Sequence, residues 1–117
     1  MSSAKNSNSL LEKIIYLLGE SKAKDIRIID VKKKSSFADF LVITEGTSTR
    51  HVSSIANKVS KELKKKVLSI EGLPKAEWAL IDFGYIILHV FKPEVRHHYD
   101  LEKLWSDSIP QEKKSVG

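Results

Sequence analysis

The stretch DFLVITEGTSTRHVSSIANKV, residues 39–59, decides the fold, because it joins a strand to a helix through one polar turn. Its first part, DFLVITE, is apolar on both faces of a predicted strand, which is typical of a strand inside a sheet. Gly46 ends that strand, and the hydroxyls of Thr47 and Ser48 are suited to cap a helix. Apolar side chains then recur at helical spacing, with lysines on the opposite side. The stretch therefore predicts a strand, a capped turn and a helix that packs on the sheet.

The chain before this stretch predicts a helix and a further strand. Residues 1–8 are polar and are predicted to be disordered. Ser9 and Glu12 have the spacing of a capping box, and leucines and isoleucines recur at helical spacing behind them, so a helix is expected over about residues 9–20. The β-branched run that begins at residue 25 predicts the first strand.

The chain after this stretch predicts three more strands and a last helix. VLSIEG, residues 67–72, returns after the long helix and predicts a strand parallel to DFLVITE with a right-handed crossover. WALIDF and YIILHVF flank Gly84 and predict an antiparallel hairpin. A short helical pair or a bent helix is expected over residues 93–105, followed by a flexible tail over residues 107–117. The sum is one mixed α/β domain over residues 9–106, with a five-stranded sheet and helices packed mainly on one face.

The composition is that of an ordinary globular protein. Hydrophobic residues make up 41% of the 117 residues, which is enough for one core. The chain has no cysteine, which excludes a thiolate nucleophile and a cysteine-ligated zinc. The first residues have neither the apolar region of a secretory signal nor a long arginine-rich transit peptide, so a cytoplasmic location is expected. The net charge of +5 permits contact with nucleic acid without requiring it.

GTSTRH, residues 46–51, resembles a phosphate-binding turn but lacks the residues for that chemistry. A Walker loop needs a second glycine and a lysine, and a dinucleotide-binding loop needs three glycines. Nucleotidyltransferases of the polymerase-beta type follow such a turn with paired carboxylates that hold magnesium. Here Glu62 lies in the helix and Glu71 stands alone in the next strand. A helix cap is therefore favoured, and a nucleotidyltransferase-like nucleotide-binding module or enzyme is the alternative.

The histidines and lysines favour structural roles. The four histidines include no pair spaced as helical metal ligands, so no metal site and no cofactor are predicted. His89 lies in an apolar strand and is expected to be a hydrogen-bonded structural residue. The lysines of residues 58–66 are favoured by the helix dipole, and no aromatic residue is interleaved with them, which favours a solvated face over a base-stacking surface. A generic RNA-binding domain remains a further alternative.

Several pieces of the sequence resemble the ribosomal silencing factor family, also called Iojap-like. They are FADFLVITEGTSTRHVSSIA, AEW, IDFG, LHVF and RHHYDLEKLW, in that order along the chain. The resemblance implies a nucleotidyltransferase-like fold without catalysis. It also implies a translational repressor that binds the large ribosomal subunit on ribosomal protein L-fourteen and prevents the small subunit from joining. A minor contact with rRNA and a homodimer in the free state are further expectations.

The resemblance also points to a partner surface. Trp78 of AEW and Tyr99, Asp100 and Leu101 of YDLEKLW are the residues that we expect to contact the large-subunit protein, with Asp82 as a weaker addition. Trp and Tyr are common at the energetic centres of protein interfaces.

Two features of the sequence are left open by the resemblance. The hairpin turn, which is often Gly-Asp in the family, is Gly84-Tyr85 here, so a charged contact at its tip would become an aromatic one. Arg50 and His51 belong to the family signature, and the sequence allows either structural ties or contacts at the rim of the partner surface.

Overall fold

The structure, a computed structural model, describes residues 3–36, 38–72 and 77–95. Two α-helices, a short 3₁₀ helix and five strands follow one another in this part of the chain. In order they are α1 (Ser3–Glu20), β1 (Lys24–Asp30), β2 (Phe40–Glu45), α2 (Thr49–Glu62), the 3₁₀ helix (Lys64–Lys66), β3 (Ser69–Glu71), β4 (Trp78–Asp82) and β5 (Ile86–Phe91). Residues 93–95 are helical, as predicted, and the rest of the expected last helix lies outside the described residues, as does the predicted tail.

The strands form one mixed sheet in the order β1-β2-β5-β4-β3. β2 pairs with β5 in parallel, and the other three pairings are antiparallel. The hairpin around Gly84 is confirmed, because β4 and β5 are antiparallel neighbours joined by a tight turn in which the Phe83 N–H donates to the Ile86 carbonyl at 2.9 Å. β2 and β3 run in the same direction, as predicted, but β5 and β4 lie between them. β2 is an interior strand, as its two apolar faces predicted.

The two faces of the sheet contribute to two separate clusters of buried side chains. One face packs against α1 and α2, and its side chains include Phe40, Val42, Ile81, Leu88 and Val90. The opposite face buries a smaller cluster, formed by Leu41, Ile43 and Phe91 together with Val31 and Ala38 of the β1–β2 connection. Among the described elements both α-helices contribute to the first cluster alone, which confirms helices mainly on one face.

The first helix begins earlier than the sequence predicted. α1 starts at Ser3, so the prediction of disorder over residues 1–8 is wrong for residues 3–8, and Ser9 lies inside the helix instead of capping it. The reason is that the segment before Ser9 contains no proline or glycine to stop a helix. The buried stripe that holds the helix on the sheet starts at Leu10 and continues through Ile14 and Leu18.

The turn between β2 and α2 combines a capped helix start with a close backbone approach. The Ser48 hydroxyl accepts a hydrogen bond from the His51 N–H at 3.1 Å, which confirms Ser48 as the cap. Gly46 is needed for space, since a Cβ on it would lie 2.8 Å from the Val52 nitrogen and 3.0 Å from its Cα. The predicted bend at Gly46 is therefore also the point at which the strand end touches the first turn of the helix.

His51 ties this turn to the end of the first helix. Its Nδ1 accepts a hydrogen bond from the Thr47 N–H at 2.8 Å, so Nε2 carries the proton and donates to the Ser21 carbonyl at 2.9 Å. One imidazole thus joins the backbone at Thr47 to the backbone at Ser21, which lies 30 residues before His51 in the chain. Of the two roles that the sequence left open for His51, the structure favours the structural tie.

We expect Gly46→Ala to destabilise the fold, because the added methyl group would overlap the backbone at Val52. The free energy of unfolding, measured by urea denaturation, should fall by about 1–3 kcal/mol. Gly19→Ala is the matched control, since Gly19 is helical and a Cβ there meets no atom within 4 Å. That variant should gain about 0.5–1 kcal/mol from helix propensity. A Gly46→Ala variant as stable as the wild type would contradict the close approach.

Candidate interaction surface

Three aromatic rings stack on the face of the sheet opposite the α-helices. Trp78 of β4 lies directly across from Phe91 of β5, and His89 stands two residues before Phe91 on the same face. The Trp78 and Phe91 ring centroids are 6.0 Å apart, those of His89 and Phe91 are 5.6 Å apart, and all three rings are within 12° of parallel. Cross-strand pairs of this kind stabilise the hairpin and make one continuous surface. We call Trp78, His89 and Phe91 the aromatic cluster.

A hydrogen bond inside the aromatic cluster fixes the protonation state of His89. The Trp78 Nε1–H donates to His89 Nδ1 at 3.2 Å. Because an indole nitrogen can only donate, Nδ1 must be the unprotonated nitrogen, and the imidazole is neutral with its proton on Nε2. Burial lowers the pKa of His89 from 6.5 to about 4, which agrees with a neutral ring. The bond also holds the Trp78 ring in one orientation.

Trp78 is the exposed member of the aromatic cluster. Its side chain is 36% exposed, whereas His89 and Phe91 are buried beneath it. Gly72 lets the chain reach this position, because its φ is +99° and a Cβ on it would lie 2.0 Å from the Trp78 carbonyl oxygen. The Lys92 N–H donates to the Glu77 carbonyl at 2.9 Å and fixes the segment just before Trp78. A large amphipathic ring is thus held rigidly at the surface, which is the arrangement typical of interface residues.

Asp82 lies on the same face of β4 as Trp78 but has a structural task of its own. Its Oδ1 accepts a hydrogen bond from the Gly84 N–H at 2.7 Å, and Gly84 adopts a φ of +95° in the hairpin turn. A side chain that bonds the backbone two residues on is a standard turn-forming contact. The predicted partner contact of Asp82 stays a prediction.

The other predicted contact residues, Tyr99, Asp100 and Leu101, lie outside the described residues. The structure adds His89 and Phe91, which sequence reasoning did not connect with Trp78. The sequence contained the information needed to connect them. A two-residue turn at Gly84-Tyr85 fixes the register of the hairpin, and this register sets Trp78 opposite Phe91.

Within the described residues, no three histidine, cysteine, aspartate or glutamate side chains are grouped so that they could hold a metal ion. No described helix is long and apolar enough to cross a membrane.

A scan against protein families matches residues 4–116 to the model described as ribosomal silencing factor during starvation. The chain belongs to the ribosomal silencing factor family. It is 43% identical over 99 residues to the ribosomal silencing factor of Zymomonas mobilis, with 82% of this chain and 74% of that protein covered. It is 34% identical to the ribosomal silencing factor of Halalkalibacterium halodurans, with 95% of this chain and 97% of that protein covered. The family membership confirms the resemblance on which the partner surface was predicted.

Two further similarities extend the comparison. A mouse protein named mitochondrial assembly of ribosomal large subunit protein 1 is 36% identical over 102 residues, which cover 82% of this chain and 45% of that protein. A crystal structure of a protein from Chromobacterium violaceum superposes with a TM-score of 0.82 at 34% identity, covering 85% of each chain. The mixed sheet is therefore shared with an experimentally determined structure.

The buried His89 predicts a pH-dependent stability. Because its pKa is lowered from 6.5 to about 4 in the folded state, the unfolded chain binds more protons between these two values. The free energy of unfolding should therefore rise as the pH increases from 4 to 6.5, by about 3 kcal/mol at most, and this contribution should be constant above that range.

Urea denaturation at about pH 5 and about pH 7 checks this prediction, with His89→Gln as the comparison. The variant lacks the titrating group but keeps a polar side chain, so its stability should change less between the two pH values than that of the wild type. Equal changes in the two proteins would contradict a buried neutral His89.

Proposed function

We propose that this chain binds the large ribosomal subunit through ribosomal protein L-fourteen and prevents the small subunit from joining. Membership of the ribosomal silencing factor family over residues 4–116 is the observation that carries the proposal. The name of the mouse relative, which refers to assembly of the ribosomal large subunit, supports that subunit as the partner. The proposal places this action in the cytoplasm and includes a homodimer in the free state.

The aromatic cluster supports the proposed docking surface. Trp78 is exposed, and it is held in place by the His89 hydrogen bond and by the buried Phe91 ring. A rigid aromatic side chain loses little conformational freedom when a partner covers it, so most of its buried area contributes to affinity. We therefore propose Trp78 as the centre of the contact with L-fourteen, with Tyr99, Asp100 and Leu101 as its neighbours and Asp82 at the edge.

The proposed mechanism is steric and needs no bond to be made or broken. A standard protein interface of roughly 1,200–2,000 Å² is enough for specific docking. A folded domain seated on the joining surface then excludes the other subunit by its volume. The net charge of +5 would raise the rate of association with a subunit rich in RNA phosphates, and this gain should weaken as salt increases.

Subunit joining in a sucrose gradient tests the proposed function. Purified large subunits are incubated with an excess of the chain before small subunits are added, and the fraction sedimenting as complete ribosomes is measured. The chain should sediment with the large subunit and reduce that fraction. Unchanged joining at saturating chain would contradict the proposal.

Trp78→Ala should weaken binding to the large subunit by about tenfold or more, because it removes the exposed ring at the centre of the proposed contact. Co-sedimentation with large subunits measures the affinity, and circular dichroism checks that the variant is folded. Ile28→Ala is the control, since Ile28 is 47% exposed but lies on the face of the sheet that carries the α-helices. Equal affinities for Trp78→Ala and Ile28→Ala would exclude Trp78 from the interface.

A further inference from the structure

A groove of about 650 Å³ lies away from the aromatic cluster, where α1, the end of α2, the 3₁₀ helix and the hairpin turn meet. Five lysines line it together with the ring of Tyr85, and a single carboxylate, Glu62, is among the described lining residues. The lysines are Lys13, Lys61, Lys64, Lys65 and Lys66. We call this feature the lysine groove.

The topology of the sheet explains why Tyr85 lies among these lysines. α2 follows the end of β2 directly and runs back along the sheet, so its last turn lies near the edge where β2 and β5 begin. Tyr85 precedes β5, and its carbonyl accepts hydrogen bonds from the Asp39 and Phe40 N–H groups at 2.6 and 3.1 Å. The parallel pairing of β2 and β5 thus brings the hairpin tip to the basic end of α2.

Within the part of the chain that the structure describes, the lysines of the groove form no ion pair. All five are exposed. The dipole of α2 accounts for lysines at its end. It does not account for Lys13, which lies in the middle of α1 and faces the same groove. Five positive charges on three elements therefore converge on one concave surface.

Aromatic rings flank the lysines on two sides. Tyr85 is 48% exposed at the hairpin tip. A second groove of about 380 Å³ shares Lys13, Glu62 and Leu63 with the first. It is also lined by Glu12 and by Tyr16, which is 66% exposed. The sequence showed no aromatic residue among the lysines of residues 58–66, because Tyr16 and Tyr85 are distant from those lysines along the chain. The fold brings both rings close to them.

We propose that the lysine groove binds single-stranded RNA, with the lysines on the phosphates and the ring of Tyr85 stacked on a base. Lysines that follow a backbone beside exposed aromatic rings are the combination with which proteins hold unpaired nucleic acid. An acidic protein segment would satisfy the charges but would leave Tyr85 without a flat partner. That the RNA is rRNA near the docking surface rests on the proposed function, whereas the binding chemistry rests on the groove alone.

Fluorescence anisotropy with a labelled single-stranded RNA of about 12 nucleotides tests the inference in the full chain. The groove variant Lys13→Gln/Lys61→Gln/Lys65→Gln should bind more weakly than the wild type. The slope of log affinity against log salt should become shallower by about two, since each phosphate contact contributes about 0.7 to that slope. The control variant Lys24→Gln/Lys33→Gln/Lys58→Gln loses the same charge at exposed lysines outside the groove and should keep the slope.

Substitutions of Tyr85 test whether its ring stacks on a base. Tyr85→Leu should weaken RNA binding about 5-fold to 100-fold with little change in the salt slope, because it removes stacking and no charge. Tyr85→Phe keeps the ring and should bind as the wild type does. Circular dichroism confirms that each variant is folded.

Three results would overturn the inference. The first is an equal loss of RNA affinity in the groove and control variants, which would show that RNA binding depends on the net charge of the chain and not on the groove. The second is wild-type affinity in Tyr85→Leu. The third is polyglutamate binding to the wild type as tightly as the RNA does, which would favour an acidic protein.

RNA binding tests the groove inference, and subunit joining tests the proposed function, so the two can fail separately. A chain that blocks subunit joining but does not bind the RNA retains its proposed function and loses the groove inference. A chain that binds the RNA through the groove but leaves joining unchanged retains the groove and loses the proposed function.

Discussion

The parallel pairing of β2 with β5 is the constraint on which the rest of the structure depends. It inserts the hairpin of β4 and β5 between β2 and β3, and it sets which side chains of that hairpin face the helices. Ile81, Leu88 and Val90 then fill the main cluster, and the alternate positions place the aromatic cluster on the opposite face. The same pairing carries Tyr85 to the basic end of α2. The register of this pairing thus determines where both proposed interaction surfaces, the aromatic cluster and the lysine groove, lie on the fold.

The turn after β2 holds α2 in the position that this arrangement requires. Gly46 allows the strand end to touch Val52, Ser48 caps the helix, and His51 ties the turn to the end of α1. These contacts use hydroxyl, imidazole and backbone groups that elsewhere bind phosphates. Here Gly46, Ser48 and His51 each contact another part of the fold. These contacts explain why the turn carries such residues although the proposed function needs no catalysis there.

The sequence predicted what depends on local pattern. The apolar β2, the cap at Ser48 and the hairpin at Gly84 each follow from residues adjacent in the chain. The order of the strands could not be obtained in this way, since the pairing of β2 with β5 joins segments separated by α2, the 3₁₀ helix, β3 and β4. The second hydrogen bond of His51, to Ser21, is likewise a contact between distant segments. The start of α1 was missed because polar residues without a proline or glycine are compatible with both a helix and a disordered segment.

The proposed function joins these features in one account: a rigid exposed Trp78 docks on the large subunit, and the volume of the domain excludes the small one. The most direct test is the cryo-electron microscopy structure of the chain bound to the large subunit. The account predicts Trp78 in contact with L-fourteen and the domain within the space that the small subunit would occupy. A bound chain with Trp78 facing solvent, or a chain seated outside the joining surface, would contradict it.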